Sequence, residues 1–409
     1  MAVLRRFFSN PNTIYDCCKV LCLILFCLGC SGFTKQRDRF NYSRKSLLFT
    51  WMAVCWFVGS LMGCIYVKLQ DPQVENLDSL IKSIIYLEIG MSTFMYLTTV
   101  ISMLFNMDTN MQLYARIQHL DEKLLKQFPC KLNYEKLMRK HVLLLFSVAI
   151  IYITVVVAAV SQASHGQEFV VNLLAGLAYT AVTGGPHLNC YAQMNMAEIL
   201  SIRFRLLQKL LSKQVVCSPR LSISQQVECL RGLISLVQEY HNCIRKINKV
   251  YAVCLASTLL HDFTLTTSEF YLIFGGSSKN TQRENSLIWY VAVCMILPLY
   301  KMTIAPIYCG KAVHEGQKCF KIVMDTEWWF PCNSAVRQMV SSCLLWRKDN
   351  IIEFLCGTMI FNKQIIAVVY SQIFNYLLIL IQFRMTQEMG DQIEKQKNTI
   401  QEWIGVDYV

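Results

Sequence analysis

Residues 361–383 read FNKQIIAVVYSQIFNYLLILIQF, a segment long and apolar enough to cross a membrane as one helix. Its polar side chains are regularly placed: Gln364, Ser371, Asn375 and Gln382 are spaced by 7, 4 and 7 residues. At about 100° per residue, the four fall within about 40° of one another on a helix. The segment is therefore expected to be a membrane span with one polar stripe along its length.

A polar stripe on a spanning helix must face protein or water, because an unpaired polar group in lipid is costly. Two interpretations follow from this constraint. The stripe forms hydrogen bonds with other helices, each worth about 0.6 to 2 kcal/mol, or it lines a water-filled pore. The residues of one subunit leave both interpretations open.

The composition of the whole chain is that of a membrane protein. Of 409 residues, 54% are hydrophobic and 16% are charged, whereas a soluble domain carries roughly 25% charged residues. Lys and Arg exceed Asp and Glu by 39 to 27, but they lie between apolar runs and form no compact patch. We therefore expect contact with membrane lipid and no nucleic-acid partner.

The 19 cysteines do not predict a disulfide framework or a metal site. Their number is odd, and many lie inside apolar runs, where cysteine acts as a small apolar side chain. Cys27 and Cys30 have metal-ligand spacing but lack a second pair. No metal and no cofactor is expected.

The apolar runs predict an all-α bundle of seven membrane-spanning helices. A shorter run, 20–30, suits a buried or interfacial helix beneath the spans. The seven expected spans are 46–67, 83–106, 142–162, 168–190, 250–274, 287–309 and 361–383.

The basic residues predict that the amino terminus is cytoplasmic and the carboxy terminus extracellular, because Lys and Arg near span ends stay on the cytoplasmic side. The inside segments hold 30 of the 39 Lys and Arg, and the outside segments hold 7. Five regions are expected: a cytoplasmic amino-terminal segment, spans one to six with cytoplasmic helical loops, a cytoplasmic anchor-helix region, a seventh span and an extracellular tail. Their ranges are 1–45, 46–309 with loops 107–141 and 191–249, 310–360, 361–383 and 384–409.

Two of the cytoplasmic regions have helical periodicity. Val227, Leu230, Ile234, Val237, His241 and Ile244 form a seam that runs into the fifth span. Ala335, Val336, Met339, Val340, Cys343 and Leu344 form an apolar face before the seventh span. Such helices join subunits below the membrane or pack only within their own chain, and the pattern leaves both open.

The end of the seventh span resembles a signature of insect gustatory receptors, a family of seven-span chemoreceptor channels related to insect odorant receptors. Asn375-Tyr376, five hydrophobic residues and Gln382-Phe383 are similar to that family's Thr-Tyr, five hydrophobic residues, Gln-Phe. The segment from Cys356-Gly357 to Phe361-Asn362 resembles the approach to its last span. Asn375 replaces the usual Thr, and a tail of 26 residues follows the motif, where many members end soon after it.

The resemblance implies a tastant-gated, non-selective cation channel in the plasma membrane of sensory neurons. Four subunits, identical or mixed with other gustatory receptor subunits, would surround a pore with their seventh spans. Gln382 and Phe383 would form the outer constriction, Ile379 would thicken the seal, and Tyr376 would be a packing anchor. Asn375 and Ser371 belong to the stripe that rotation of the helix would bring into the opening. A bitter-type tastant is favoured, and a sugar remains an alternative.

The ligand site that the resemblance implies lies in the outer half of the bundle. Span direction places these candidates there: Tyr86 and Glu88 on the second span, Asp262, Thr266 and Glu269 on the fifth, and Trp289 and Tyr290 on the sixth. Tyr179 and Thr183 on the fourth span are weaker candidates. Three of these candidates have a structural alternative: Asp262 pairs with Lys301, and Trp289 and Tyr290 form an aromatic belt. His261, next to Asp262, is preferred as a hydrogen-bonded core residue over a ligand contact.

Two other classes of function compete with the channel. A seven-helix receptor coupled to a G protein is the main alternative, and the inside amino terminus disfavours it. A membrane enzyme is not expected, because the sequence contains no nucleophile and base at recognisable spacing, no paired-His metal motif and no Gly-rich phosphate loop.

Overall fold

A computed structural model of the chain describes residues 11–36, 39–69, 79–161, 167–276, 282–350 and 352–404. Within these ranges the fold is a helical bundle with two short antiparallel hairpins, β1–β2 and β3–β4. The helices are α1 (Ile14–Cys27), α2 (Arg44–Leu69), α3 (Ser79–Phe105), α4 (Met107–Gln127), α5 (Tyr134–Ser161), α6 (Gln167–Leu210), α7 (Lys213–Val216), α8 (Ile223–Gly276), α9 (Gln282–Trp329), α10 (Ser334–Asp349) and α11 (Lys363–Ile404). The strands are β1 (Thr34–Gln36), β2 (Arg39–Asn41), β3 (Leu355–Cys356) and β4 (Met359–Ile360).

The expected spans lie in seven of these helices. In the described part of the chain, α2, α3, α5, α6, α9 and α11 are long and apolar enough to cross a membrane. The fifth expected span, 250–274, lies in α8, and its buried side carries three ionisable residues, His261, Asp262 and Glu269. The all-α class is confirmed.

Three helices are much longer than a membrane requires. Helices α6, α8 and α9 have 44, 54 and 48 residues, which at 1.5 Å per residue gives about 65 to 80 Å. Their inner ends pack with α4 and α10 into a second helical layer. The expected periodic faces lie in this layer and pack mostly within the same chain. The buried members are Leu230, Ile234, Val237, His241 and Ile244 of α8 and Val336, Val340 and Cys343 of α10. Val227 and Met339 are half-buried, and Ala335 and Leu344 are exposed.

A buried ion pair fixes this inner layer. Asp121 of α4 accepts hydrogen bonds from Nε and Nη2 of Arg203 on α6, both at 2.8 Å. The hydroxyls of Tyr134 and Tyr240 also donate to Asp121, at 2.6 and 2.8 Å. Two-pronged geometry and full satisfaction of the carboxylate compensate the cost of burying both charges.

Helix α1 confirms the short buried helix expected at 20–30, although it begins earlier, at Ile14. A capping box starts it, in which Asp16 N–H donates to Thr13 Oγ1 at 3.2 Å and Thr13 N–H donates back to Asp16 at 3.2 Å. Gly29 then turns the chain with φ of +71°. This turn places Cys30 against the backbone of α6 at Gly185, where a β-carbon would lie 2.4 Å from Cys30 Sγ.

Gly185→Ala is expected to destabilise the protein by about 1 to 3 kcal/mol, because the added methyl group would overlap with Cys30 Sγ at a close-packed contact between α6 and the turn after α1. Thermal unfolding of the detergent-purified protein would measure the loss. Cys30→Ala in the same chain should restore most of it. Gly63→Ala is the matched control, since a β-carbon there meets nothing within 4 Å. Equal effects of the two glycine substitutions would contradict the packing of α1 on α6.

His241 lies in the inner layer, in an aromatic pocket. Its ring lies 4.5 Å from the ring of Phe204 and 4.7 Å from that of Phe320, measured between centroids. The Nδ1 atom lies 2.9 Å from the Val237 carbonyl oxygen. Burial, with a smaller contribution from the Arg347 charge, lowers the pKa of His241 to about 4.

The stability of the protein should therefore fall as the pH drops from about 6.5, the pKa of unfolded histidine, towards about 4. The sign follows because, between these two pH values, His241 binds a proton in the unfolded chain but not in the folded chain. Between pH 7 and pH 5 this histidine contributes a loss of about 2 kcal/mol. His241→Gln should lose less thermal stability over that interval than the parent. His314→Gln, which removes an exposed histidine, should match the parent, and an unchanged slope for His241→Gln would refute the assignment.

Candidate ligand site and pore helix

In the part of α11 that the structure describes, contact with its own bundle runs mainly along the apolar face. Ile365, Ile373 and Leu377 are buried on that face, and the hydroxyl of Tyr370 lies 2.8 Å from Thr303 Oγ1 of α9. The polar stripe lies on the opposite side of the helix. Its members, Gln364, Ser371, Asn375 and Gln382, are all exposed in the single chain.

The hydrogen bonds of the structure bear on the two interpretations of the stripe. In the described part of the chain, no other helix hydrogen-bonds to the side chains of the stripe. Hydrogen bonding within the subunit therefore does not satisfy them. Because polar groups in a membrane need a partner, water or another subunit must provide it.

The expected gate residues lie on the exposed side of the same helix. Ile379 is 57% exposed and Phe383 66% exposed. At about 100° per residue, Phe383 lies roughly a quarter turn from the stripe, and Ile379 lies closer to it. Tyr376 is 51% exposed, and its ring meets that of Phe263 of α8 edge-on, with 5.5 Å between the ring centroids.

The hairpin β3–β4 ties the start of α11 to α8. Asn248 of α8 accepts from Leu355 N–H at 3.1 Å and donates to the Glu353 carbonyl at 2.7 Å. Gly357 adopts φ of +60° in the turn, and its N–H donates to the Ala252 carbonyl at 2.9 Å. The glycine of the segment that resembles the family pattern is thus required by the turn.

A buried charged cluster joins the helices in the middle of the bundle. Lys301 Nζ of α9 lies 2.8 Å from Asp262 Oδ2 of α8, and each side chain is only 2% exposed. His261 Nδ1 and His187 Nε2 lie 3.3 and 3.5 Å from Asp262 Oδ1. The ion pair that the sequence offered as an alternative for Asp262 is present.

The histidines of this cluster are held by hydroxyl groups on two further helices. Ser92 Oγ of α3 lies 3.0 Å from His261 Nε2, and the Tyr152 hydroxyl of α5 lies 2.8 Å from His187 Nδ1. One ligand atom from each of His187, His261 and Asp262 lies within 4.8 Å of the others. Lys301 supplies a positive charge that balances the negative charge of Asp262.

A cavity lies next to this cluster. Its volume is about 20 Å³, room for about one water molecule, whereas sites for drug-sized ligands measure about 300 to 1,000 Å³. Its walls are mostly apolar and aromatic. The residues that line it are Ile151, Tyr152, Val155, Tyr179, Thr183, His187, His261, Leu265, Cys294 and Leu297.

Two carboxylates lie beside the cavity wall. The Tyr179 hydroxyl donates to Glu88 Oε1 at 2.7 Å. Glu269 is 4% exposed, and its carboxylate lies close enough to Glu88 for the two to repel each other. Among the described residues, Glu269 Oε2 and the buried Thr266 Oγ1 have no hydrogen-bond partner. The arrangement is one that a cationic or hydrogen-bonding group would stabilise.

The structure brings together most of the expected ligand residues. Asp262, Thr266 and Glu269 are buried in the bundle, and Glu88 is half-buried and bonded to Tyr179, whereas Tyr86 is 47% exposed. The side chains of Trp289 and Tyr290 lie outside the described residues. Tyr152 and His187 were not predicted, although a histidine within an apolar span was a signal for the second.

The sequence matches the model of the 7tm chemosensory receptor family over residues 14–387. A Drosophila melanogaster protein named gustatory receptor 57a is 38% identical over 99% of this chain and 100% of its own length. Another, named gustatory receptor 47b, is 23% identical over 83% of each chain.

Solved structures show the same fold. The insect olfactory receptor OR5 from Machilis hrabei superposes with a TM-score of 0.66 at 10% identity, over 89% of this chain and 97% of its own. The same receptor in complex with eugenol gives 0.59 at 8% identity, over the same shares.

Asp262→Asn is expected to destabilise the protein by about 3 to 5 kcal/mol, because it leaves Lys301 charged and unpaired in the bundle. Adding Lys301→Met should recover most of the loss in a double-mutant cycle followed by thermal unfolding. Glu135→Gln is the control, since its pair with Arg139 is exposed and should cost less than about 1 kcal/mol. A double variant that is no more stable than Asp262→Asn would show that the two groups are independent.

Proposed function

The chain belongs to the 7tm chemosensory receptor family, and we propose that it is a gustatory receptor that works as a ligand-gated, non-selective cation channel. The observation that carries this proposal is the exposed polar stripe of α11. Facing lipid, the stripe would be costly. Around a shared water-filled axis, its amide and hydroxyl groups are hydrated and provide a path for ions.

The proposed assembly is a tetramer, formed by four copies or by mixture with other gustatory receptor subunits. Helix α11 packs on its own chain mainly through its apolar face, so its polar stripe faces away from the bundle. Rotational symmetry brings the same wall of each subunit to one axis. The amino terminus is cytoplasmic in this arrangement, as the distribution of Lys and Arg favours.

The gate is proposed at Gln382 and Phe383, with Ile379 one turn below. Bulky apolar side chains keep a narrow constriction dry, and a dry constriction blocks ions. A small rotation of α11 that moves Phe383 and Ile379 aside would bring Gln382 and Asn375 into the opening. The hairpin β3–β4 attaches α11 to α8, which provides a route from the ligand site to the gate.

The ligand site is proposed at the cavity beside the Asp262 cluster and at Glu88, Thr266 and Glu269. Since the cavity holds about one water molecule, a tastant would bind by separating the helices that enclose it, and that separation would open the gate. Aromatic walls and two uncompensated carboxylates fit a mostly apolar compound with a basic nitrogen. That chemistry favours a bitter-type tastant over a sugar.

The proposal places the chain in the plasma membrane of sensory neurons. The proposed channel activity is tested by recording cation currents from the expressed receptor across a panel of tastants. Phe383→Ala should raise the current without tastant several-fold, because the apolar seal is lost. Gln382→Ala should change the permeability ratio among cations. Phe146→Ala, which removes an exposed ring on α5, is the control and should behave like the parent.

Parent-like currents from both pore variants would reject the pore assignment. A tastant response that needs a G protein and carries no current would favour the G-protein-coupled alternative.

A further inference from the structure

Helix α11 does not end where its membrane span ends. After Phe383 it continues to Ile404, and residues 384–404 are termed the C-terminal extension here. Every described side chain from Met389 to Ile400 is exposed. An isolated helix of this length is marginal in water, so a packing partner is needed to stabilise it.

The extension has an apolar seam at coiled-coil spacing. Met389, Ile393, Gln396 and Ile400 follow one another at 4, 3 and 4 residues. Met389, Ile393 and Ile400 are 55%, 67% and 56% exposed, although they lie on a helix that is otherwise polar. Large apolar side chains at such positions usually insert between the side chains of a facing helix.

The seam continues the polar stripe of the span. From Asn375 through Ile379, Gln382 and Thr386 to Met389, the spacings are 4, 3, 4 and 3. At about 100° per residue, Met389, Ile393 and Ile400 point within about 20° of the centre of the stripe. One uninterrupted helix therefore presents the same side above the membrane that it presents to the proposed pore.

The charges of the extension avoid this side. The sequence contains three basic and four acidic residues between 384 and 404, and none falls on the seam. By the same spacing only Lys397 falls at a flanking position, and Glu394 and Lys395 lie on the outer side. Apart from Lys397, the charges lie at outer positions, which leaves the seam and most of its flanking positions for contact, as in bundles of more than two helices.

We infer that the C-terminal extensions of the subunits pack together as a parallel helical bundle above the pore mouth, with Met389, Ile393, Gln396 and Ile400 inside. The inference rests on the proposed function, because the pore axis is what brings identical faces of α11 together. The seam of each C-terminal extension packs against the C-terminal extensions of the neighbouring subunits. Gln396 and Thr386 form polar layers that fix the register.

Disulfide trapping in the full-length receptor, expressed in membranes and treated with a mild oxidant, tests the bundle. Single cysteines replace Ile393 or Ile400 on the seam, and Glu394 or Asn398 on the opposite side. The parent chain sets the background from its 19 cysteines. Because a parallel, in-register bundle brings identical positions together, Ile393→Cys and Ile400→Cys should give several-fold more covalent dimer than Glu394→Cys and Asn398→Cys. Two seam positions guard against one variant failing to reach the membrane.

Gln382→Cys separates failure of this inference from failure of the proposed function. Trapping at 382, 393 and 400 supports the bundle. Trapping at 382 without trapping at 393 and 400 overturns the bundle and leaves the pore in place. Equal trapping at seam and outer positions also overturns it, since random collision would explain the dimers. Background levels at 382 and at every seam position would reject the pore together with the bundle.

Discussion

A polar side chain within a membrane needs a hydrogen-bonding partner, and α11 presents four for which the described part of its own chain provides none. Lipid tails offer no donors or acceptors, so the cost of each group remains until water or protein meets it. This constraint is the basis of the proposed assembly. The exposed Ile379 and Phe383 and the seam of the C-terminal extension lie on or beside the same side of α11.

Two buried clusters of charged groups differ from the stripe, because their members pair with groups of the same subunit. Asp262 and Lys301 neutralise each other, two histidines contact the same carboxylate, and hydroxyls from two further helices hold the histidines. Asp121 is likewise saturated in the inner layer. Groups satisfied inside the subunit stabilise the bundle, and the exposed polar groups of α11 support the proposal that water or another subunit meets them. Among the buried groups without a hydrogen-bond partner, Glu269 Oε2 and Thr266 Oγ1 belong to the candidate ligand site, which is why a ligand is proposed there.

Much of the fold could be predicted because lipid imposes a simple pattern on sequence. Apolar runs located the spans, and the seam around Ile234 and Val237 predicted the inner end of α8. The pairing of Asp262 with Lys301 could be offered as an alternative because both are ionisable residues within apolar spans, where an unpaired charge is costly. Contacts between distant segments, such as Tyr152 with His187, leave no periodic trace and were missed. The length of α11 was also missed, because apolarity ends at Phe383 while helix-forming Gln, Glu, Lys and Met continue to Ile404.

Cysteine accessibility along α11 during current recording tests the central claim most directly. A charged, water-soluble thiol reagent is applied to open channels carrying one cysteine at Ser371, Asn375 or Gln382, or at Ile373 or Leu377 on the buried face. A water-filled pore predicts that current changes rapidly at the first three positions and not at the last two. Modification that ignores this helical periodicity, or reaches none of the stripe positions in channels that conduct, would contradict a pore lined by α11.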